Sequence, residues 1–116
     1  VEAMRTLFSE NERFDVIVLD PPAFIKRKKD IDAGTRHYGL NNRLAMKLLN
    51  PGGMLLSASC SQPLDMKALQ HAVQRGLPKG RAGVQIVTRF QQAPDHPVNA
   101  AMPESLYLKG LIARVP

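Results

Sequence analysis

An α/β fold with a partly parallel sheet is what the sequence predicts, on three observations. The run Val16-Ile17-Val18-Leu19 is continuously apolar and mostly β-branched, the pattern of a strand covered on both faces, as in a parallel sheet. Helix-like and strand-like segments alternate up to Gly76, as they do when parallel strands are joined by right-handed crossovers. The last two strand-like segments have no helix between them and read as an antiparallel pair.

Each element has its own signal. Residues 1–9 (VEAMRTLFS) put Met4, Leu7 and Phe8 on one helical face. ENER is a polar loop, and the following strand is stopped by Pro21 and Pro22. Residues 25–35 (IKRKKDIDAGT) are polar and basic and read as a mobile loop. A helix is predicted from about Thr35 to Leu49, with Leu40, Leu44, Ala45, Leu48 and Leu49 as its apolar face. Asn50-Pro51-Gly52-Gly53 supplies the breakers that end it.

Met54 to Ser59 is a second strand, leading into Cys60. Ser61-Gln62-Pro63 reads as a helix start with Asp65 in the first turn, and Met66, Leu69 and Val73 share a face before Gly76 stops the helix. GLPKGRAG is a turn. Val84 to Phe90 and Leu106 to Val115 are the closing strands, separated by a long loop over 93–105 with three prolines.

The 116 residues form at most one domain, spanning 1–116. Hydrophobic residues at 44% and charged residues at 22% are ordinary for a globular chain. The net charge of +6 suits a polyanionic partner such as nucleic acid, although many soluble proteins are mildly basic without one. Cys60 is the one cysteine, so no internal disulfide forms and a reducing, cytoplasmic setting is expected. No apolar run approaches the roughly 20 residues of a membrane helix, so no membrane partner is expected. The chain begins with Val, and it is expected to be a piece of a longer protein.

In α/β sheets ligands bind at the carboxyl ends of the strands. Here those ends are Asp20-Pro21-Pro22 and Ser59-Cys60-Ser61. An apolar strand closing in DPP-x-F, a helix leading through Leu49-Asn50-Pro51-Gly52-Gly53 into the next strand, and the strand–loop–strand ending form an ordered set. In this set the chain resembles the C-terminal half of a class I S-adenosylmethionine-dependent methyltransferase: strands four to seven of its Rossmann-like sheet, the last antiparallel, with flanking helices. Asp20-Pro21-Pro22-Ala23-Phe24, Ser59-Cys60-Ser61 and the ending Asp95-His96-Pro97…Pro103-Glu104-Ser105…Tyr107-Leu108-Lys109-Gly110 are similar to the bacterial large-subunit (23S) ribosomal RNA cytosine-5 methyltransferases, which carry an N-terminal PUA domain. The glycine turn that cradles the cofactor's methionine and the acid that holds its ribose are missing. The resemblance therefore implies the C-terminal part of a single methyltransferase domain, without its N-terminal cofactor-binding half and without the PUA domain.

The resemblance implies S-adenosyl-L-methionine as cofactor and ribosomal RNA as partner. Cytosine C5 is a poor nucleophile until a thiolate adds to C6, so this chemistry needs a thiolate, a donor beside the base, and a proton acceptor. Cys60 is the candidate nucleophile, with helix amides at Gln62 to Leu64 expected to lower its pKa; the competing reading is an inert buried cysteine. Asp20, held by a buried strand and two prolines, is a candidate for bonding a flipped base, and in the family this position, with Pro21 and Pro22, faces both substrate and methyl donor. Its competing reading is a turn cap. Phe24 is a candidate stacking face or a core residue. Lys26, Arg27, Lys28 and Lys29 are candidates for phosphate contacts or a solvated charge run. Arg36, His37, Arg43, Lys79 and Arg81 are candidates for the same surface. His96 and Glu104 either line the substrate side or brace their loop. No metal-site spacing is present, so no zinc is expected.

Two further functions compete. Amino-group methyltransferases resemble DPP followed directly by an aromatic, whereas Ala23 intervenes here. A non-catalytic basic RNA-binding module would make Cys60 dispensable. Some cytosine-5 RNA methyltransferases place a second cysteine after the fourth strand; Pro and Ala stand there in this chain, leaving the group that resolves the adduct unassigned. With half a sheet, the Val16 to Leu19 strand is expected to have a bare apolar edge and to pair with another copy.

Overall fold

The computed structural model describes residues 1–22, 27–61, 63–91, 100 and 108–116, with the side chain of Lys28 also outside the description. Its elements, in chain order, are α1 (Glu2–Ser9), β1 (Phe14–Leu19), a 3-10 turn (Lys28–Asp30), α2 (Ile31–Lys47), β2 (Leu49–Ser59), α3 (Met66–Arg75), β3 (Gln85–Gln91) and β4 (Lys109–Val115). They build a mixed sheet in the order β1-β2-β4-β3. β1 and β2 are parallel, and β4 runs antiparallel to both β2 and β3. The predicted closing pair is therefore present, with β4 inserted between β2 and β3.

The core lies between one face of the sheet and the helices. Tyr38, Ala45 and Met46 of α2 and Leu69, Ala72 and Val73 of α3 pack on Leu55 of β2 and on Leu111, Ala113 and Val115 of β4, with Ile17, Leu19 and Ile86 alongside. Because strand side chains alternate, the neighbours of Ile17 and Leu19 point the other way. Val16 and Val18 are each 65% exposed. The expectation that β1 is covered on both faces is thus corrected: among the described residues one face is covered, and β1 is an edge strand.

The helix boundaries also differ from the sequence pattern. The helix starts earlier than the predicted Thr35: Ile31 to Gly34, expected in a loop, already belong to α2. The face α2 buries includes Tyr38, Asn42, Ala45 and Met46, while Leu40 is only half-buried. The helix ends at Lys47, before the Asn50–Gly53 breakers. Arg81 satisfies the carbonyls around that end, donating from Nη1 to Met46 O (3.0 Å) and from Nη2 to Leu49 O (2.7 Å).

Asn50-Pro51-Gly52-Gly53 instead forms a kink inside β2. The pairing with β1 jumps from Phe14↔Leu49 to Val16↔Met54 across it. Gly52 adopts a left-handed φ of 83°, and Asn50 Nδ2 ties the kink to Asp15 Oδ1 at 3.0 Å. In α3, Asp65 is the N-cap rather than a first-turn residue, its Oδ1 accepting from Ala68 N at 2.8 Å. Gly76 closes α3 where a Cβ would sit 2.9 Å from the Gly39 carbonyl oxygen, so the close contact of α2 and α3 requires glycine there.

Candidate active site

The two sequence-predicted strand ends meet at one rim of the sheet. Leu19 is level with Ser57 in the parallel β1–β2 pair, so Asp20 leaves β1 beside the last residues of β2, and Cys60 follows directly after Ser59. Neighbouring strands lie about 4.8 Å apart, which brings the two termini into one small region. Asp20 and Pro22 are exposed there, Pro21 is half-buried, and Cys60 is partly exposed. A thiol and a carboxylate therefore stand at the same edge, both reachable from outside.

The turn that carries Cys60 is fixed from below. Tyr38, fully buried on α2, presents its hydroxyl to both flanking serines: Ser59 Oγ donates to it at 2.8 Å, and it shares a hydrogen bond of 2.6 Å with Ser61 Oγ. Ser61 N donates to Ser59 Oγ at 3.1 Å. Deeper in the same network, Ser57 Oγ donates to Asn42 Oδ1 (2.7 Å), and Asn42 Nδ2 donates to the Tyr38 carbonyl (2.7 Å). Lys109, the first residue of β4 and paired with Ser59, donates from Nζ to the Ser61 carbonyl at 2.6 Å. The serines are held inward on both sides of Cys60.

The expected helix amides behind Cys60 are not arranged as predicted. Asp65 caps α3, so its free amides begin beyond that residue and Ala68 N is already spent on the cap. Pro63 has no N–H, and Leu64 N donates to Ser61 O in a turn. Gln62 lies outside the described residues. Among the described residues the buried charge near this turn is instead Lys109, which the sequence motif contains but to which it assigns no role. Burial lowers its pKa from the ordinary 10.5, while the charges of Cys60 and Asp65 act to raise it.

Of the basic candidates, Arg27 is hydrogen-bonded to Asp30 (3.3 Å) on the exposed surface, and Lys29 is exposed. Arg36 and Arg43 line a groove between α2 and α3 together with Arg75. Arg81 is taken out of the surface set, because its guanidinium is committed to the end of α2. Phe24, Lys26, His96 and Glu104, and the side chain of Lys28, lie outside the described residues. Among the described residues no three His, Cys, Asp or Glu side chains cluster as a metal site. No described helix is long and apolar enough to cross a membrane.

Tyr38, Asn42 and Lys109 were missed by the sequence pattern. The available signal was Ser57-x-Ser59-x-Ser61, which at strand spacing places three hydroxyls on one side and demands polar partners for them.

No protein-family model matches the chain. Among curated proteins it is 46% identical over 112 residues to ribosomal RNA large subunit methyltransferase I of Shewanella frigidimarina, covering 97% of this chain and 28% of that protein. It is 44% identical over 112 residues to the protein of the same name from Enterobacter sp., again over 97% of this chain and 28% of the relative. The chain thus spans less than a third of the length of the curated relatives it matches. Among solved structures, one named as a methyltransferase and complexed with SAH superposes with a TM-score of 0.79 at 20% identity, over 98% of this chain and 29% of that one. The mixed sheet with its flanking helices is the fold found in S-adenosylmethionine-dependent methyltransferases.

Proposed function

We propose that this chain is the C-terminal part of a single methyltransferase domain, and that the whole protein methylates C5 of a cytosine in large-subunit ribosomal RNA with Cys60 as nucleophile. The observation that carries this reading is the placement of Asp20-Pro21-Pro22 and Cys60 at the carboxyl ends of neighbouring parallel strands. The names of its relatives supply the substrate class. A ribosomal RNA substrate in turn implies work in the cytoplasm.

In this mechanism the Cys60 thiolate forms a bond from Sγ to C6 of the flipped base, and the displaced electron pair makes C5 enolate-like. C5 takes a methyl group, its proton leaves to a base, and the S–C6 bond breaks to return the thiolate. Asp20 accepts hydrogen bonds from the base's polar edge. The Tyr38–Ser59–Ser61 network holds the nucleophile's backbone, so little orientational freedom is lost on reaction.

When bound, S-adenosyl-L-methionine supplies the methyl group. Asp20, Pro21 and Pro22 would border it, which their exposed or half-buried position at the rim allows. The glycine turn and the ribose-holding acid have no counterpart in these 116 residues, so this chain offers one wall of the site and binds the cofactor weakly alone. Phosphates of the RNA meet Lys29 and the basic stretch around it, with Lys26, Arg27 and Lys28, and Phe24 and His96 complete the substrate side.

The test uses the full-length protein and its Cys60→Ala variant with labelled S-adenosylmethionine and unmodified ribosomal RNA, followed by nucleoside mass spectrometry. 5-Methylcytidine from the parent, lost in the variant, is expected. A methylated exocyclic amine that survives the substitution would move the chemistry to an amino-group transfer at Asp20-Pro21-Pro22. RNA binding without methylation in either protein would leave a basic RNA-binding module.

A further inference from the structure

Lys109 is 5% exposed and lies on the core side of β4, beside Leu111 and opposite Ser59. Its Nζ reaches the Ser61 carbonyl at 2.6 Å, and among the described residues it forms no ion pair. Burying an ammonium is costly, and a methionine would fill the same space without that cost. A charge-specific role therefore accounts for lysine here better than packing does. Two groups that can carry negative charge act on it: Cys60, after β2, and Asp65, before α3. Asp65 is exposed and its Oδ1 is committed to the α3 cap. From α2 the facing titratable group is Tyr38, whose hydroxyl is bonded to Ser59 and Ser61. On β3 the paired residue, Gln91, is uncharged.

We propose that Lys109 is the positioning residue for Cys60: its ammonium clamps the Ser59–Ser61 turn through the Ser61 carbonyl, and its charge favours the ionised sulfur. The inference rests on the nucleophile role given to Cys60 above. The two ionisations support each other. Burial favours the neutral amine at Lys109, whereas negative charge at Cys60 or Asp65 favours the ammonium; by reciprocity, the ammonium favours negative charge on the sulfur.

The experiment measures the pH dependence of Cys60 alkylation by iodoacetamide in the full-length protein, read by peptide mass spectrometry so that other thiols do not interfere. Lys109→Met is expected to move the midpoint upward by about one pH unit, slowing alkylation near pH 7 roughly tenfold. Lys109→Arg, which keeps the charge, is expected to retain most of the wild-type midpoint. A folded Lys109→Met protein with an unchanged midpoint would overturn the proposal. Should Lys109→Met fail to fold, Cys60→Ser provides the reciprocal measurement: the Lys109 pKa, followed by NMR at its side chain, is expected to fall, and an unchanged value overturns the coupling. Alkylation requires neither methyl donor nor RNA. A shifted midpoint in a protein that makes no 5-methylcytidine would uphold the Lys109–Cys60 coupling while removing the methylation reading.

Discussion

Replacing Tyr38 by Phe deletes one oxygen from the buried network and leaves the ring that packs against the core. That oxygen accepts from Ser59 Oγ at 2.8 Å and shares a second hydrogen bond with Ser61 Oγ at 2.6 Å. Each such bond contributes about 0.5–1.5 kcal/mol net, and a buried hydroxyl that loses its partner costs about 1–3 kcal/mol. The expected loss is therefore about 2–4 kcal/mol, a large share of the roughly 5–15 kcal/mol that holds a domain of this size. Urea denaturation followed by far-UV circular dichroism measures it directly, with the slope of the transition expected to stay constant. A companion variant sharpens the interpretation. Tyr38→Phe combined with Ser59→Ala and Ser61→Ala removes the serine hydroxyls together with their partner, and it is expected to be at least about 1 kcal/mol more stable than the sum of the separate losses, because stranded groups cost more than absent ones. A Tyr38→Phe protein within about 0.5 kcal/mol of wild type, or strictly additive losses in the combined variant, would refute the claim that this network holds the Cys60 turn.

Three further outcomes are expected. Arg81→Met removes two donors from the end of α2 and should destabilise the protein by about 1.5–3 kcal/mol in the same urea assay; under the proposed function, the salt dependence of RNA binding by the full-length protein should stay unchanged, and a reduced salt slope would return Arg81 to the proposed RNA surface. The 116-residue chain should self-associate through the β1 edge, where Val16 and Val18 are exposed, and Val16→Lys with Val18→Lys should restore a monomer; light scattering that found a stable wild-type monomer at high concentration would count against this. Lys109 binds its proton less tightly in the folded than in the unfolded chain, so wild-type stability should rise relative to Lys109→Met as pH climbs from the lowered folded pKa toward 10.5; parallel stability profiles would show that folding leaves the Lys109 proton affinity unchanged.

Much of this architecture is written in local pattern. The β-branched run of β1, the Pro21-Pro22 stop and the spacing of Leu69 and Val73 each specify an element within a few residues, and each element is present. Boundaries went astray where tertiary partners override local preference. Asn50-Pro51-Gly52-Gly53 has every breaker a helix end needs, but pairing of Leu49 with Phe14 draws the strand back through it, and Arg81 takes over the helix end from more than thirty residues away. Gly34 and Gly39 lie inside α2 despite their weak helix propensity; Gly34 is buried, and the Gly39 turn lies against Gly76.

The site divides the same way. Asp20 and Cys60 were legible because a strand end followed by a rigid or tight turn is a local event, and the parallel order of β1 and β2 then places both at one rim. Their support is polar and non-local. Counting apolar residues along α2 selects Leu40 and passes over Tyr38 and Asn42, because a tyrosine or an asparagine is worth burying only when its partner exists, and those partners are Ser57 and Ser59 of β2 and Ser61 in the turn after it. Lys109 is further still: read alone in Leu108-Lys109-Gly110 it is a surface residue at the start of a strand. Only the antiparallel register that sets it opposite Ser59 turns it into a buried cation bonded to the turn that carries Cys60. Candidate residues at a sheet rim are announced by the strand that ends there, whereas the residues that brace them arrive from elements whose pairing the linear pattern does not encode.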